Sequence, residues 1–190
     1  MYDKERVIEY LKEHLEPYRV EHSIRVAKTA KKLAKQYGVD PDKAEKAGLL
    51  HDSGKWADKA AALKKVQEYG IILDGELKYE YNMVHEVLGV YIAKEEFGIY
   101  DKEILDAIRY HVTGRWDMND LEKVVYIADK IEPGRSYEKV EIFRELAKKS
   151  LDKATKAILD DSIILLLKKN SFIAIDSIEA RNYFIVRSEI

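Results

Sequence analysis

The imidazole and thiolate groups of this 190-residue chain amount to five histidines, His14, His22, His51, His85 and His111, and no cysteine. Disulfides, thiolate metal sites and cysteine nucleophiles are thereby excluded. Four of the five histidines fall on apolar stripes at helical spacing. His51 follows Ala44, Ala47 and Gly48. His85 shares a stripe with Leu88, Gly89 and Ile92, and His111 extends Ile104, Leu105 and Ile108. His22 lies one turn before Val26 and in line with Leu33. Asp129 follows Leu121, Val125 and Ala128 on one face, where an ionised carboxylate needs a cation or several donors. Asp52 adjoins His51 at an expected helix end, so both can turn toward one point. Taken singly, each histidine reads as a hydrogen-bonded core residue and each aspartate as half of an ion pair. Taken together, inward imidazoles and carboxylates from separate helices suit a divalent cation, whose natural ligands they are. His14, amid Lys12, Glu13 and Glu16, is expected to be solvated.

The elements that must position these groups are helices. Convincing strand alternation is absent, and only 3 prolines and 9 glycines interrupt the helical pattern. Asp3 caps a first helix that ends before Pro17. A second runs from about Tyr18 to Tyr37 and stops at Gly38. Asp40-Pro41 opens a third, which reaches His51-Asp52 and breaks at Ser53-Gly54. Further helices are expected over roughly Asp58–Tyr69 and Met83–Phe97, and from a cap at Asp101 to His111. Asn119 caps the next, which ends at Pro133-Gly134, and the last two cover Tyr137–Lys149 and Leu151–Lys169. Ile71 to Asn82 is the least helical stretch, and Asp176 or Ser177 caps a short final turn. The expectation is an all-α, single-domain bundle of eight to ten helices over residues 1–190. Its metal core would span about 18–135, with C-terminal helices and a strap over 137–190.

At 22.1 kDa, with 46% hydrophobic and 36% charged residues, the chain can bury one core. The formal charge of −2 provides no electrostatic footprint for duplex nucleic acid. The charged N-terminus has no apolar stretch behind it, and the longest apolar run, Ile163 to Leu167, is too short to cross a bilayer. A cytoplasmic protein without nucleic-acid or membrane partners is expected.

The ordered set His22, His51-Asp52 and Asp129 on an all-α chain resembles the HD-domain superfamily of metal-dependent phosphohydrolases. Other stretches are similar to its YqeK-like branch, the bacterial symmetrical bis(5′-nucleosyl)-tetraphosphatases. These are Arg19-x-x-His22-Ser23-x-x-Val26, Gly48 to Lys55, His85-x-x-x-Gly89 and Ala107-Ile108-x-x-His111-x-Thr113-Gly114. The Ala128-Asp129-Lys130-Ile131-Glu132-Pro133-x-Arg135 stretch is the most specific, and Glu179-Ala180-Arg181-Asn182 closes the set. The resemblance implies hydrolysis of diadenosine tetraphosphate and related dinucleoside tetraphosphates into two nucleoside diphosphates. It also implies iron as the metal, with manganese, cobalt or zinc as alternatives. By that resemblance His22, His51, Asp52 and Asp129 are the ligands. His85 and His111 face the phosphates, as general acid or imidazolium donors, or complete a second metal position.

Such chemistry needs a nucleophile at neutral pH and neutralisation of developing phosphoryl charge. A bound divalent metal meets both needs, and Asp52 can orient or deprotonate the attacking water. Arg19, Lys55 and Arg135 are each tied by sequence to a metal ligand and are the expected phosphate contacts. Phe172 and Ile173 would wall a purine slot, unless that segment is only a strap over the core. A dinucleoside polyphosphate or nucleoside diphosphate is therefore the expected ligand, and a homodimer is compatible with it. The alternatives are another HD-type nucleotidase or alarmone hydrolase, a non-catalytic metal-dependent nucleotide sensor, and a helical protein whose histidines are structural.

Overall fold

The computed structural model describes residues 2–188. Among them are ten α-helices and no strand: α1 (Lys4–His14), α2 (Pro17–Tyr37), α3 (Pro41–Leu50), α4 (Lys59–Glu68), α5 (Val84–Glu95), α6 (Lys102–Arg109), α7 (Asp120–Ile131), α8 (Val140–Lys149), α9 (Leu151–Lys168) and α10 (Ile175–Ser188). The fold is therefore all-α, as expected. No helix among the described residues is long and apolar enough to cross a membrane.

The start signals at Asp3, Asp40, Asp101 and Asn119 act as read, and Asp58, expected inside its helix, caps it instead. Asp3, Asp40, Asp58 and Asp101 each accept backbone N–H bonds at the head of their helices, each contact stabilising by about 1 kcal/mol. Asn119 and Glu122 form a reciprocal capping box on α7, and Arg115 clamps Glu122 with two bonds of 2.6 and 2.8 Å. Ile71–Asn82 holds only two short 3₁₀ turns, at Gly75–Lys78 and Tyr81–Met83.

Helix α7 runs through the interior. Ten of its residues are buried, Asp129 among them, and it packs on α2, α3, α6, α8 and α9. Helix α2 lies across both α3 and α7. The α2–α3 crossing is close because Gly48 faces Ala27, whose Cα would lie 3.0 Å from an added Cβ. After α3 the chain turns onto α5, and a Cβ at Gly54 would meet the His85 carbonyl oxygen at 2.4 Å. These two contacts bring the His22, His51-Asp52 and His85 segments together.

Two expectations are corrected. The final segment is a 14-residue helix rather than a short turn. Ser177, Ala180 and Phe184 are buried on one side of it, and it packs against α9. His14 is half-buried rather than solvated. Its Nδ1 donates to the Tyr10 carbonyl at 2.9 Å, and its ring stacks on Tyr10 at 4.2 Å and lies 4.1 Å from Trp56.

Glu86, beside His85, is fully buried, and its carboxyl is pushed up to about 8 by burial, which outweighs Arg109 at 3.2 Å. Its folded value exceeds its unfolded one, so the folded state holds the extra proton. Stability from this group is therefore lost as pH rises from about 4.5 through about 8. Glu86→Gln is expected to gain stability relative to wild type at about pH 9 compared with about pH 6, as read by urea denaturation at each pH. Gly54→Ala is expected to destabilise by about 1–3 kcal/mol, because backbone must move to admit the methyl group.

Candidate metal centre

Three of the four inward imidazoles sit where a helix begins or ends. His51 caps α3, and its Nδ1 donates to the Gly48 carbonyl at 2.8 Å. His111 follows α6 and donates to Ile108 at 2.7 Å; His85 opens α5 and donates to Asn82 at 2.5 Å. His22, within α2, donates instead to Glu132 Oε1 at 3.0 Å. In every case Nδ1 meets an acceptor and so carries a hydrogen, which leaves Nε2 as the ring atom that faces the interior and becomes a donor to a metal when deprotonated.

Those Nε2 atoms converge with two carboxylates. His22, His51 and Asp129 each offer one donor atom within 4.8 Å of the others, and so do His51, Asp52 and His111. His51 Nε2 lies 3.7 Å from both Asp129 Oδ1 and Asp52 Oδ2. His22 Nε2 is 2.9 Å from Asp129 Oδ1. On the other side, Asp52 Oδ1 lies 3.4 Å from Nε2 of His85 and of His111, which are 3.2 Å apart. His51 thus stands between two donor groups.

The electrostatics suit a cation. Burial pushes both aspartates up, but His51, His111 and Lys55 around Asp52, and Lys130, His22 and His51 around Asp129, outweigh it. Both carboxyls are held well below the usual range. Burial lowers His51, yet Asp52 and Asp129 raise it overall, and the negative potential that favours a proton there also favours a cation. His85 is driven well below its ordinary value by burial and Lys55, and His111 is lowered by burial. Both therefore present neutral rings at pH 7.

The residues present fit a divalent metal on two counts. The converging donors are imidazole and carboxylate. Also, the fully buried His51 Nε2 has no hydrogen-bond partner, an expensive arrangement for a group meant only to fill a core.

The basic residues singled out from the sequence border this cluster. Arg19 reaches Asp52 Oδ2 at 3.3 Å and Lys55 reaches Asp52 Oδ1 at 3.5 Å. Arg135 Nη2 contacts Asp129 Oδ1 at 2.7 Å and His22 Nε2 at 3.4 Å. Phe172 lines a separate cavity of about 340 Å³, together with Asn82, Thr113 and Lys130, the chain neighbours of this centre; Ile173 does not line it. Sequence reasoning missed Lys130, whose ammonium lies 2.6 Å from Asp129 Oδ2. It also missed Glu132 as a working residue. Glu132 is buried, accepts from His22, and is held by Arg25 Nε at 2.6 Å and the Gly134 amide at 2.5 Å.

The family model for the HD domain matches residues 19–134. The chain belongs to the HD domain family. This HD domain is 37% identical over 188 residues to a symmetrical bis(5′-nucleosyl)-tetraphosphatase of Halalkalibacterium halodurans, covering 97% of this chain and 98% of that one. It is 39% identical to the protein of that name in Staphylococcus aureus, over 91% and 90% of the two chains. A solved structure from Clostridium acetobutylicum, described as a predicted HD superfamily hydrolase involved in NAD metabolism, superposes with a TM-score of 0.91 at 37% identity. It covers 98% of this chain and 99% of its own. Membership in the HD family implies a divalent metal.

Replacing Glu132 by Gln should weaken metal affinity about 10–100-fold with the fold retained, because the carboxylate that orients His22 is lost. Isothermal titration of metal into chelator-stripped protein, alongside circular dichroism, checks this. Unchanged affinity would remove Glu132 from the site.

Proposed function

We infer that this HD domain hydrolyses dinucleoside tetraphosphates symmetrically, yielding two nucleoside diphosphates and consuming one water. The observation that carries the reading is the two-sided donor cluster ringed by Arg19, Lys55, Lys130 and Arg135. Near-full-length similarity to enzymes bearing that name supports it.

In this proposal His22, His51, Asp52 and Asp129 hold the metal, which we take to be iron; imidazole and carboxylate donors also suit manganese, cobalt or zinc. When bound, a divalent ion supplies a nucleophilic water at neutral pH and polarises a phosphoryl oxygen. Asp52 is ionised and placed to orient that water or accept its proton. His85 and His111, neutral and 3.2 Å apart at Nε2, are poor imidazolium acids. We assign them to a second metal position, on the side of the cluster that faces the phosphates.

The tetraphosphate chain carries several negative charges. Arg135 offers a planar fork to its oxygens, and Arg19 and Lys55 offer cations on the Asp52 side. All three are partly exposed, whereas the carboxylates behind them are not. One nucleoside would occupy the cavity lined by Phe172, Met83, Val112 and Leu159, which Lys130 and Thr113 connect to the metal centre.

The whole of 1–190 is taken as one functional unit, with metal ligation within 18–135. The cytoplasm is the compartment this reading implies. Nucleic acid and membrane are not among the proposed partners, and a homodimer is compatible with it.

Chromatography of products from diadenosine tetraphosphate is expected to show only adenosine diphosphate, dependent on added metal and abolished in His51→Ala. Formation of adenosine triphosphate with monophosphate would overturn symmetrical cleavage. Phe172→Ala is expected to raise KM by roughly 5- to 150-fold, the equivalent of about 1–3 kcal/mol for a base-stacking contact, with kcat little changed.

A further inference from the structure

Behind the metal centre, on the far side of Glu132, lies a groove of about 380 Å³ between α2 and α8. Its floor is apolar: Leu33, Ile131 and Ala147 are all buried. Its walls carry five cationic side chains, Arg25, Lys28, Lys32, Arg144 and Lys148, and a single carboxylate, Glu141. That carboxylate is already bonded to Arg144.

Lys28 and Lys32 are the notable pair. They stand four residues apart on α2, so their ammonium groups share a face, a like-charge spacing that works against the helix. Neither has an ion-pair partner among the described residues, whereas Lys31, one position round the helix, is held by Asp42 and Glu45. Arg25, one turn earlier, adds a third cation to the same side. Arg25, Arg144 and Lys148 are paired with Glu132 and Glu21, Glu141, and Glu145, so the unneutralised charge beside the concave apolar floor is that of Lys28 and Lys32. The dimensions fit a small molecule rather than a helix or a strand.

We propose that the α2–α8 groove is a second ligand site, for a nucleoside phosphate, with Lys28 and Lys32 gripping the phosphates and the base lying on Leu33 and Ala147. It is separate from the metal centre and coupled to it. Arg25 donates to Glu132, the acceptor of the His22 proton. Arg144 donates to the carbonyls of Ile131, Glu132 and Arg135 at 2.9–3.0 Å. An anion that draws Arg25 or Arg144 outward loosens the loop that orients His22 and Arg135. The natural occupant is a nucleoside diphosphate, the product of the proposed reaction; that identity and the coupling to catalysis rest on that reading, whereas the site itself does not.

The test is methyl NMR of the zinc-loaded protein titrated with adenosine diphosphate, in wild type and in Lys28→Glu/Lys32→Glu. Both lysines lie outside the catalytic machinery. Leu33 and Ala147 methyls report on the groove, and Val112 reports on the cavity beside the metal. The expected result is saturable shifts at Leu33 and Ala147 in wild type. In the double variant their dissociation constant should rise by roughly tenfold or more while Val112 still responds. No shift at Leu33 in wild type, or an equal affinity in the variant, overturns the site whatever Val112 does. A silent Val112 with a responsive Leu33 tells against the proposed function and leaves the groove standing. Inhibition by adenosine diphosphate should be mixed in wild type and purely competitive in the variant; competitive inhibition in both overturns the coupling.

Discussion

Asp52 and Asp129 are ionised carboxylates inside a helical core, and an isolated buried carboxylate is costly enough that it would take up a proton instead. Here neither does, because the surroundings supply positive potential from several directions. Asp52 is faced by Arg19, Lys55 and three imidazoles, and Asp129 by Lys130, Arg135 and two. This arrangement has two uses. A divalent ion held by His22, His51, Asp52 and Asp129 would take over much of the neutralising. The partly exposed Arg19, Lys55 and Arg135 can then turn their charge to an anionic substrate. Under the proposed function, the groups that make the buried negative charge tolerable would be the ones the reaction needs next.

Helix ends explain how the imidazoles are aimed. The last turn of a helix leaves carbonyls without an intrahelical partner. His51 uses Gly48 and His111 uses Ile108, each three residues back; His85 finds the same relation with Asn82 in a 3₁₀ turn. His22 cannot follow that rule, because the carbonyls behind it in α2 are committed to the helix ladder. It therefore needs an acceptor from elsewhere, and Glu132 provides it from 110 residues away. Burying Glu132 creates its own charge problem, which Arg25 and the Gly134 amide answer.

Much of this was legible in the sequence, because period-3.6 stripes report which side of a helix is inside and His22, His51, His85, His111 and Asp129 lie on those stripes. The aspartate caps and the Ala128–Arg135 stretch were readable for the same local reason. Long-range pairing was not. Nothing near Glu132 in the chain announces His22, and its setting before Pro133-Gly134 reads as an ordinary helix end. His14 looks solvated among Lys12 and Glu13 until Trp56, on another segment, covers its ring. Helix α10 was understated because its buried side is made of Ser177 and Ala180 as well as Phe184, a stripe too small and polar to stand out.

The loop after α7 carries the tightest compromise. Gly134 has no room for a side chain, since a Cβ there would sit 2.7 Å from the Arg25 guanidinium. Arg25 is pressed close because it must reach Glu132, yet its own side chain is about one-third exposed, toward the basic groove. A single guanidinium therefore answers to a buried carboxylate on one side and to whatever anion enters the groove on the other. The bond to Glu132 is stronger while the groove holds only water, since a competing anion would divide the same donors. Orientation of His22 and the state of the groove are then joined by geometry alone, through Glu132 and Arg25, without any large movement of the helices.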